Sequence, residues 1–254
     1  IIVDADSLTD KEYLRSRAHL IRNDIAMENV TAGNPNALVR GKDSTPDNPS
    51  TSHFTVVDKD GLVVSMTTTV EAAFGSQRMA AGFILNNQLT DFSFQPRDSD
   101  GLLVANAVGP NKRPRSSMAP VIVFNPEGEF LFTSGSPGGS SIIAYTAKTI
   151  VGILDWGLSP QDAIELPNVI ARNGRVAVEA KGLKDEISGE IDRGSPAEEF
   201  GLPESLIKGL ESRGHKVRRS RGEFSGIHII YRTEDGTLIG GADPRREGVA
   251  LGLD

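Results

Sequence analysis

The clearest pattern in the chain is a pair of β-rich runs on either side of an Asp-Gly turn, over residues 51–69. If Asp58 pairs with Leu62 across a three-residue Lys59-Asp60-Gly61 loop, with Gly61 left-handed, every later pair follows and Thr51 faces Thr69. Upstream, residues 31–50 are rich in Pro, Gly and Asn and show no hydrophobic period, which predicts a linker or mobile loop. Before it, Thr9 or Asp10 is placed to cap a helix over residues 10–22, with Tyr13, Leu14, Ala18 and Ile21 as its stripe.

Downstream, the apolar run at residues 83–85 leads into a cluster of polar side chains, Asn86-Asn87-Gln88-Leu89-Thr90-Asp91, which reads as a site lining or a hydrogen-bonded loop. Residues 121–124 and 129–133 flank Asn125-Pro126-Glu127-Gly128 as a second hairpin. The strand then enters Ser134-Gly135-Ser136-Pro137-Gly138-Gly139-Ser140 and a helix. Ile143, Ala147, Ile150, Val151 and Leu154 mark that helix's expected buried face, and Gly157 is its expected C′ residue. Short helices are expected over residues 160–166 and 203–213, and strands over 176–178, 215–218, 226–231 and 237–241. Residues 181–201 read as an exposed loop. Hairpins with helices gathered between them predict an α+β layered fold rather than a doubly wound one.

The 27 Lys and Arg against 34 Asp and Glu leave a formal charge of −7, which argues against broad binding to nucleic acid or anionic membranes. No run reaches the roughly 18 apolar residues of a membrane span. The first residue is Ile rather than Met, so the chain is expected to be processed, truncated or excerpted. There is no cysteine, hence no disulfide, thiolate metal site or Cys nucleophile. His19, His53, His215 and His228 are widely spaced, and neither a metal nor a cofactor is expected.

Four stretches carry candidate chemistry. A threonine at a new chain end is both nucleophile and base, because its α-amine, with a reference pKa of roughly 7.7–8.0, accepts the hydroxyl proton. Thr51 qualifies only if the Ser50-Thr51 bond is cut; uncut, it is a strand residue like many threonines. Gly138 and Gly139 before a helix suit an oxyanion or a tight turn, whereas the P-loop lysine is absent. Ser116 and Ser117 read as loop hydroxyls, Gln88 and Asp91 as groups that hold their own loop, and Arg113 and Arg115 as solvated or surface-paired.

Taken together, Thr51-Ser52-His53-Phe54, Phe74-Gly75, Asn86-Asn87-Gln88-Leu89-Thr90-Asp91-Phe92, Arg113-Pro114-Arg115-Ser116-Ser117-Met118, Gly135-Ser136-Pro137-Gly138-Gly139 and Asp243-Pro244-Arg245 resemble the γ-glutamyltranspeptidases, in order across residues 51–254. The resemblance implies an N-terminal-nucleophile (Ntn) hydrolase with a four-layer αββα sandwich, present in part because most of the large subunit is missing. Residues 1–50 correspond to the C-terminal end of the large subunit and its linker, and residues 51–254 to the small, catalytic subunit. It implies autocleavage at Ser50-Thr51, Thr51 as nucleophile and Thr69 as its hydrogen-bond partner. Gln88 and Asp91 fall at positions for the substrate α-amino group, Ser116 and Ser117 near its α-carboxylate, and Gly138 and Gly139 at the oxyanion amides. Glu71 departs from the asparagine that many members carry for the α-amino group, and the large-subunit arginine for the α-carboxylate is absent.

The implied partners are a γ-glutamyl donor such as glutathione, an amino-acid or peptide acceptor, and the remainder of the large subunit. Family members are often periplasmic or extracellular, and the compartment of this chain is undetermined. The alternatives are a related amidase, such as a glutaryl-cephalosporin acylase or a poly-γ-glutamate depolymerase, and an inactive precursor fragment.

Overall fold

The computed structural model describes residues 5–45, 51–172, 174–184, 191, 194–220 and 225–252. Two short helices come first, α1 (Ala5–Thr9) and α2 (Lys11–Ala18). Asp10 caps α2 by accepting from the Tyr13 N–H at 2.7 Å. The helix stops short of the expected residue 22 because it buries none of its residues, and short helices without packing are marginal.

Strands β1 (Thr51–Val57) and β2 (Val63–Thr69) form the expected hairpin, pairing Thr51 with Thr69. The turn has the chemistry that the register requires. Gly61 sits at φ +85°, and the Asp58 carboxylate accepts from Asp60 N–H and Leu62 N–H at 2.9 and 2.8 Å. Two minimal strands follow, β3 (Met79–Ala80) and β4 (Phe83–Ile84), then a 3₁₀ turn at Gln88–Asp91. The second expected hairpin is β5 (Val121–Phe124) and β6 (Phe130–Gly135).

Helices α3 (Ile142–Leu154) and α4 (Pro160–Glu165) come next, then β7 (Val169–Arg172) and β8 (Arg175–Glu179). The chain continues through α5 (Pro196–Phe200), α6 (Glu204–Ser212), β9 (Lys216–Ser220), β10 (His228–Arg232) and β11 (Leu238–Ala242). An antiparallel sheet in the order β11-β10-β6-β5 is the centre of the molecule.

The alternation of side chains along β6 divides the layers. Phe132 packs with Tyr145, Ile153 and Ala163 of the helices, and Ser134 Oγ is 2.7 Å from Thr149 Oγ1 of α3. On the opposite face, Thr133 Oγ1 is 2.6 Å from Thr55 Oγ1 of the hairpin, and Gly135 lies against the His53 ring. The order of layers is therefore α, β, β. The hairpin's inner face is polar, with His53, Thr55 and Thr67, whereas its outer face carries Phe54, Val56, Val64 and Met66, each 40–50 % exposed. This is where the fourth layer of an αββα sandwich would lie.

A smaller core, Val176, Val178, Ala180 and Ile207, packs the β7-β8-β9 sheet against α6. Arg245 locks the two cores together. Its guanidinium meets Glu179 through two bonds of 2.7 Å, reaches the Ile164 and Leu166 carbonyls that end α4, and bonds Asp243 Oδ1 at 3.2 Å. It also lies 5.0 Å from the Phe200 ring centroid. The Arg245, Glu179 and Asp243 side chains are fully buried, so each of these charged groups needs the partners it has. Lys148 donates to the same two α4 carbonyls, and burial, then Arg245, pushes its ammonium down to about 7.

Three expectations are corrected. On α3 most of the expected stripe faces outward, with Ile143 and Leu154 58 % and 52 % exposed and only Ile150 packed against the core, while Ile142, Tyr145, Thr146, Thr149, Gly152 and Ile153 are buried. The helix is apolar nearly all round, so its face is chosen by the Thr149–Ser134 bond and by Gly152, which lets Ala163 of α4 approach. The expected exposed loop at 181–201 contains α5, with Ala197 buried; part of that loop lies outside the described residues. Strand β7 was not expected at all, and it is held by antiparallel pairing with β8.

Candidate active site

Thr51 opens onto a cleft with about 450 Å³ of empty space, part of it at the open mouth. Thr69, opposite Thr51 in the ladder, shares this cleft with Glu71, Gln88, Asp91, Ser116, Ser117 and Gly139. Gly138 precedes Gly139 but does not line the cleft. Ser50 lies outside the described residues.

Each wall has a local cause. After β2 the chain turns sharply: Glu71 adopts φ +74°, and its N–H donates to Thr69 Oγ1 at 2.8 Å. A non-glycine residue in this region costs on the order of 1 kcal/mol or more, so the surroundings must hold it. They do. Ala72 N–H donates to Asn87 Oδ1 at 2.9 Å, Asn87 N–H donates to the Val70 carbonyl at 3.2 Å, and Gly75 is so close to the Leu85 carbonyl that a Cβ would sit 2.3 Å from it. The Glu71 side chain is thereby carried into a buried position, 7 % exposed.

The second wall is organised by Asn106, a residue that the sequence reading missed. Its Nδ2 donates to the Asp91 carbonyl at 2.6 Å, and its Oδ1 accepts from the Arg115 N–H at 3.0 Å. One side-chain amide thus fixes the Gln88–Asp91 turn and the extended segment leading to Ser116. Ser116 Oγ accepts from Met118 N–H at 3.1 Å, which turns the loop toward β5. Arg115, expected on the surface, borders the cleft, with Nη1 3.4 Å from Asp43 Oδ2 and Nη2 2.5 Å from the Thr45 carbonyl.

The third wall is the entry to α3. Gly138 and Gly139 have φ of +131° and +56°, conformations that L side chains rarely adopt, so the turn requires glycine twice. Ser136 Oγ accepts from Gly226 N–H at 3.1 Å, and Arg172 bonds Ser140 Oγ. Behind Thr51, Arg246 Nη1 donates to its carbonyl at 3.3 Å. Two positions along β1, buried His53 holds Thr67 Oγ1 at 2.9 Å through Nδ1, while its Nε2 finds no partner. Burial, then the neighbouring His228, pushes His53 down to about 4. Among the described residues no group of three or more His, Asp or Glu could hold a metal, and no helix is long and apolar enough to cross a membrane.

The sheet-on-sheet layering, with a threonine at the first position of a strand bordering the cleft, defines the fold of the Ntn hydrolases. Compared with known proteins, the chain matches the gamma-glutamyltranspeptidase family model over residues 2–253 and belongs to that family. It is 34 % identical to the glutathione hydrolase proenzyme of Bacillus subtilis (strain 168), over 99 % of this chain and 40 % of that protein. It is 33 % identical to the acylase ACY 1 proenzyme of Pseudomonas sp. (strain V22), over 97 % of this chain and 38 % of that protein. Among solved structures, the T380A mutant of Helicobacter pylori gamma-glutamyltranspeptidase aligns with a TM-score of 0.60 at 29 % identity, covering 77 % of this chain and 100 % of that chain. The chain spans about two fifths of the length of these curated relatives.

Proposed function

We propose that this chain carries the catalytic half of a γ-glutamyl hydrolase and transferase acting on glutathione-like donors. The observation that carries the reading is Thr51, first in its strand and opposite Thr69, in a cleft whose walls bring two carboxylates, two serine hydroxyls and a glycine turn together. In this reading residues 1–50 are the end of the large subunit and residues 51–254 the small subunit. A cut between Ser50 and Thr51 exposes the amine that activates the hydroxyl. The remainder of the large subunit covers the bare outer face of the hairpin, where Phe54, Val56, Val64 and Met66 are exposed.

The chemistry follows from the groups present. Thr51 Oγ attacks the γ-carbonyl while its own α-amine takes the hydroxyl proton and then delivers it to the departing amine, leaving a glutamyl ester. Amides at the Gly138-Gly139 turn receive the oxyanion. Glu71 and Asp91, with Gln88, hold the donor ammonium, and Ser116 and Ser117 donate to its carboxylate. Water, or the amine of an amino acid or peptide, then releases the glutamyl group.

A Thr51→Ala variant of the full-length protein tests this. Intact mass should show one uncut species, and turnover of a γ-glutamyl anilide should vanish; substantial turnover would overturn the mechanism. A second reading, an acylase acting on glutaryl amides, is favoured by the likeness to acylase ACY 1. Two acidic side chains in the cleft weigh against it, because a glutaryl donor has no ammonium to meet them. Side-by-side rates on glutathione and a glutaryl amide separate the two.

A further inference from the structure

A second cavity lies between α3, the end of α4 and β7, with about 590 Å³ of empty space, part of it open to solvent. It shares no lining residue with the Thr51 cleft. Its walls are mostly apolar and partly aromatic, from Tyr145, Trp156, Val169 and Ile170, and two polar side chains, Lys148 and Asn168, interrupt them.

Both polar groups have bonding capacity to spare. Lys148 Nζ donates to the Ile164 and Leu166 carbonyls at 2.8 and 2.7 Å. Each of those carbonyls also accepts from Arg245, at 3.1 and 3.2 Å, so the end of α4 keeps a donor without the lysine. A neutral amine that gives its two hydrogens to two carbonyls still has its lone pair. Burial, reinforced by Arg245 and opposed by Asp243 and Glu179, pushes the ammonium down to about 7, so a large fraction is amine near neutral pH. Asn168 is buried, and its Nδ2 donates to Glu179 Oε1 at 3.2 Å and Ser225 Oγ at 3.0 Å. A carboxylate only accepts, so the NH2 must face it and the amide has one orientation. The Asn168 Oδ1 is thereby left buried, with no partner among the described residues. Such an acceptor is costly until something donates to it.

We propose that this cavity binds a small hydroxyaryl aldehyde, whose hydroxyl donates to Asn168 Oδ1 and whose carbonyl carbon is captured by Lys148 Nζ as a reversible imine. The aromatic ring suits the apolar walls. In the covalent step the Nζ lone pair forms a bond to the carbonyl carbon, and the two amine hydrogens leave with the carbonyl oxygen as water. A C=N bond remains, and no oxidant or reductant is needed. The Ile164 and Leu166 carbonyls then rest on Arg245 alone. This site is independent of the chemistry at Thr51.

The test uses the full-length protein with ortho-, meta- and para-hydroxybenzaldehyde and the matching methoxybenzaldehydes, which keep the ring electronics but have no O–H to donate. Imines are trapped with cyanoborohydride and located by peptide mass mapping. At pH 7 Lys148 should be labelled at least about tenfold faster than the exposed Lys59, because far more of it is unprotonated. That ratio should fall as pH rises from 7 to 9, where Lys148 is already neutral and Lys59 is still losing its proton. At least one hydroxybenzaldehyde should saturate Lys148 at a concentration about two- to tenfold lower than its methoxy counterpart, the worth of one hydrogen bond. Lys148→Met should remove this label and leave that of Lys59. Labelling of Lys148 no faster than Lys59, or a ratio that does not fall with pH, overturns the capture. Rapid labelling that is indifferent to the hydroxyl overturns the part given to Asn168.

Discussion

The imidazoles of His53 and His228 lie 6.3 Å apart with planes inclined by 30°, sandwiched between the hairpin and the central sheet. Burial depresses both, His53 to about 4, and Asp243 only partly offsets the effect on His228. The unfolded chain takes up a proton near the ordinary pKa of 6.5, whereas folded His53 resists until about 4. Stability is therefore full above pH 6.5 and lost as pH falls toward 4, by on the order of 3 kcal/mol for His53. Urea unfolding from pH 7 to 4 should show a steeper loss in the unsubstituted protein than in His53→Gln. Equal slopes would contradict the assignment.

Asn106 predicts a coupled defect. Replacing it by Ala leaves the Asp91 carbonyl and the Arg115 N–H without their amide, at a cost of about 1–3 kcal/mol. If both walls lean on this residue, kcat/KM for a γ-glutamyl anilide should fall about tenfold or more, on the scale of a misplaced binding group. Asn106→Asp retains an acceptor for Arg115 but sets an oxygen against the Asp91 carbonyl, and should be no better. A lowered melting temperature with unchanged kcat/KM would restrict Asn106 to stability.

Arg245 and Glu179 form a fully buried pair joined at 2.7 Å on both sides. Arg245→Met strands the Glu179 and Asp243 charges in the interior and should cost roughly 3–5 kcal/mol by urea unfolding. Arg245→Lys should recover little, since an ammonium cannot reach both carboxylates and the two α4 carbonyls at once. A loss below about 1 kcal/mol, the range of exposed pairs, would refute this account.

Sequence alone exposed the parts of the fold whose cause is local. The hairpin at 51–69 was legible because an Asp side chain and a glycine set its turn, and the turn sets every pair up to Thr51 and Thr69. The buried face of α3 was not, because it depends on Ser134 and Ala163, which belong to other elements. Helix α5 did have a signal, Ser195 as N-cap followed by Pro196, hidden in a charged, glycine-rich stretch. At the cleft, Thr51, Glu71, Asp91 and Ser116 are far apart in sequence, and only the family resemblance joined them. Asn106 and Arg115 had no local mark. An Arg in a polar loop reads as solvated until its neighbours across the cleft are known.

The seven described pairs of the β1–β2 ladder run from Thr51↔Thr69 to Val57↔Val63, all on the C-terminal side of the Ser50-Thr51 bond. A scission ahead of Thr51 would thus turn one chain into two and leave these seven rungs on one piece. The severed piece would keep its holds on the body at Gly41–Leu103, Ala26–Arg213 and Asp43–Arg115. Maturation of this kind would create a reactive chain end inside an already finished architecture, so the catalyst would need no second folding event.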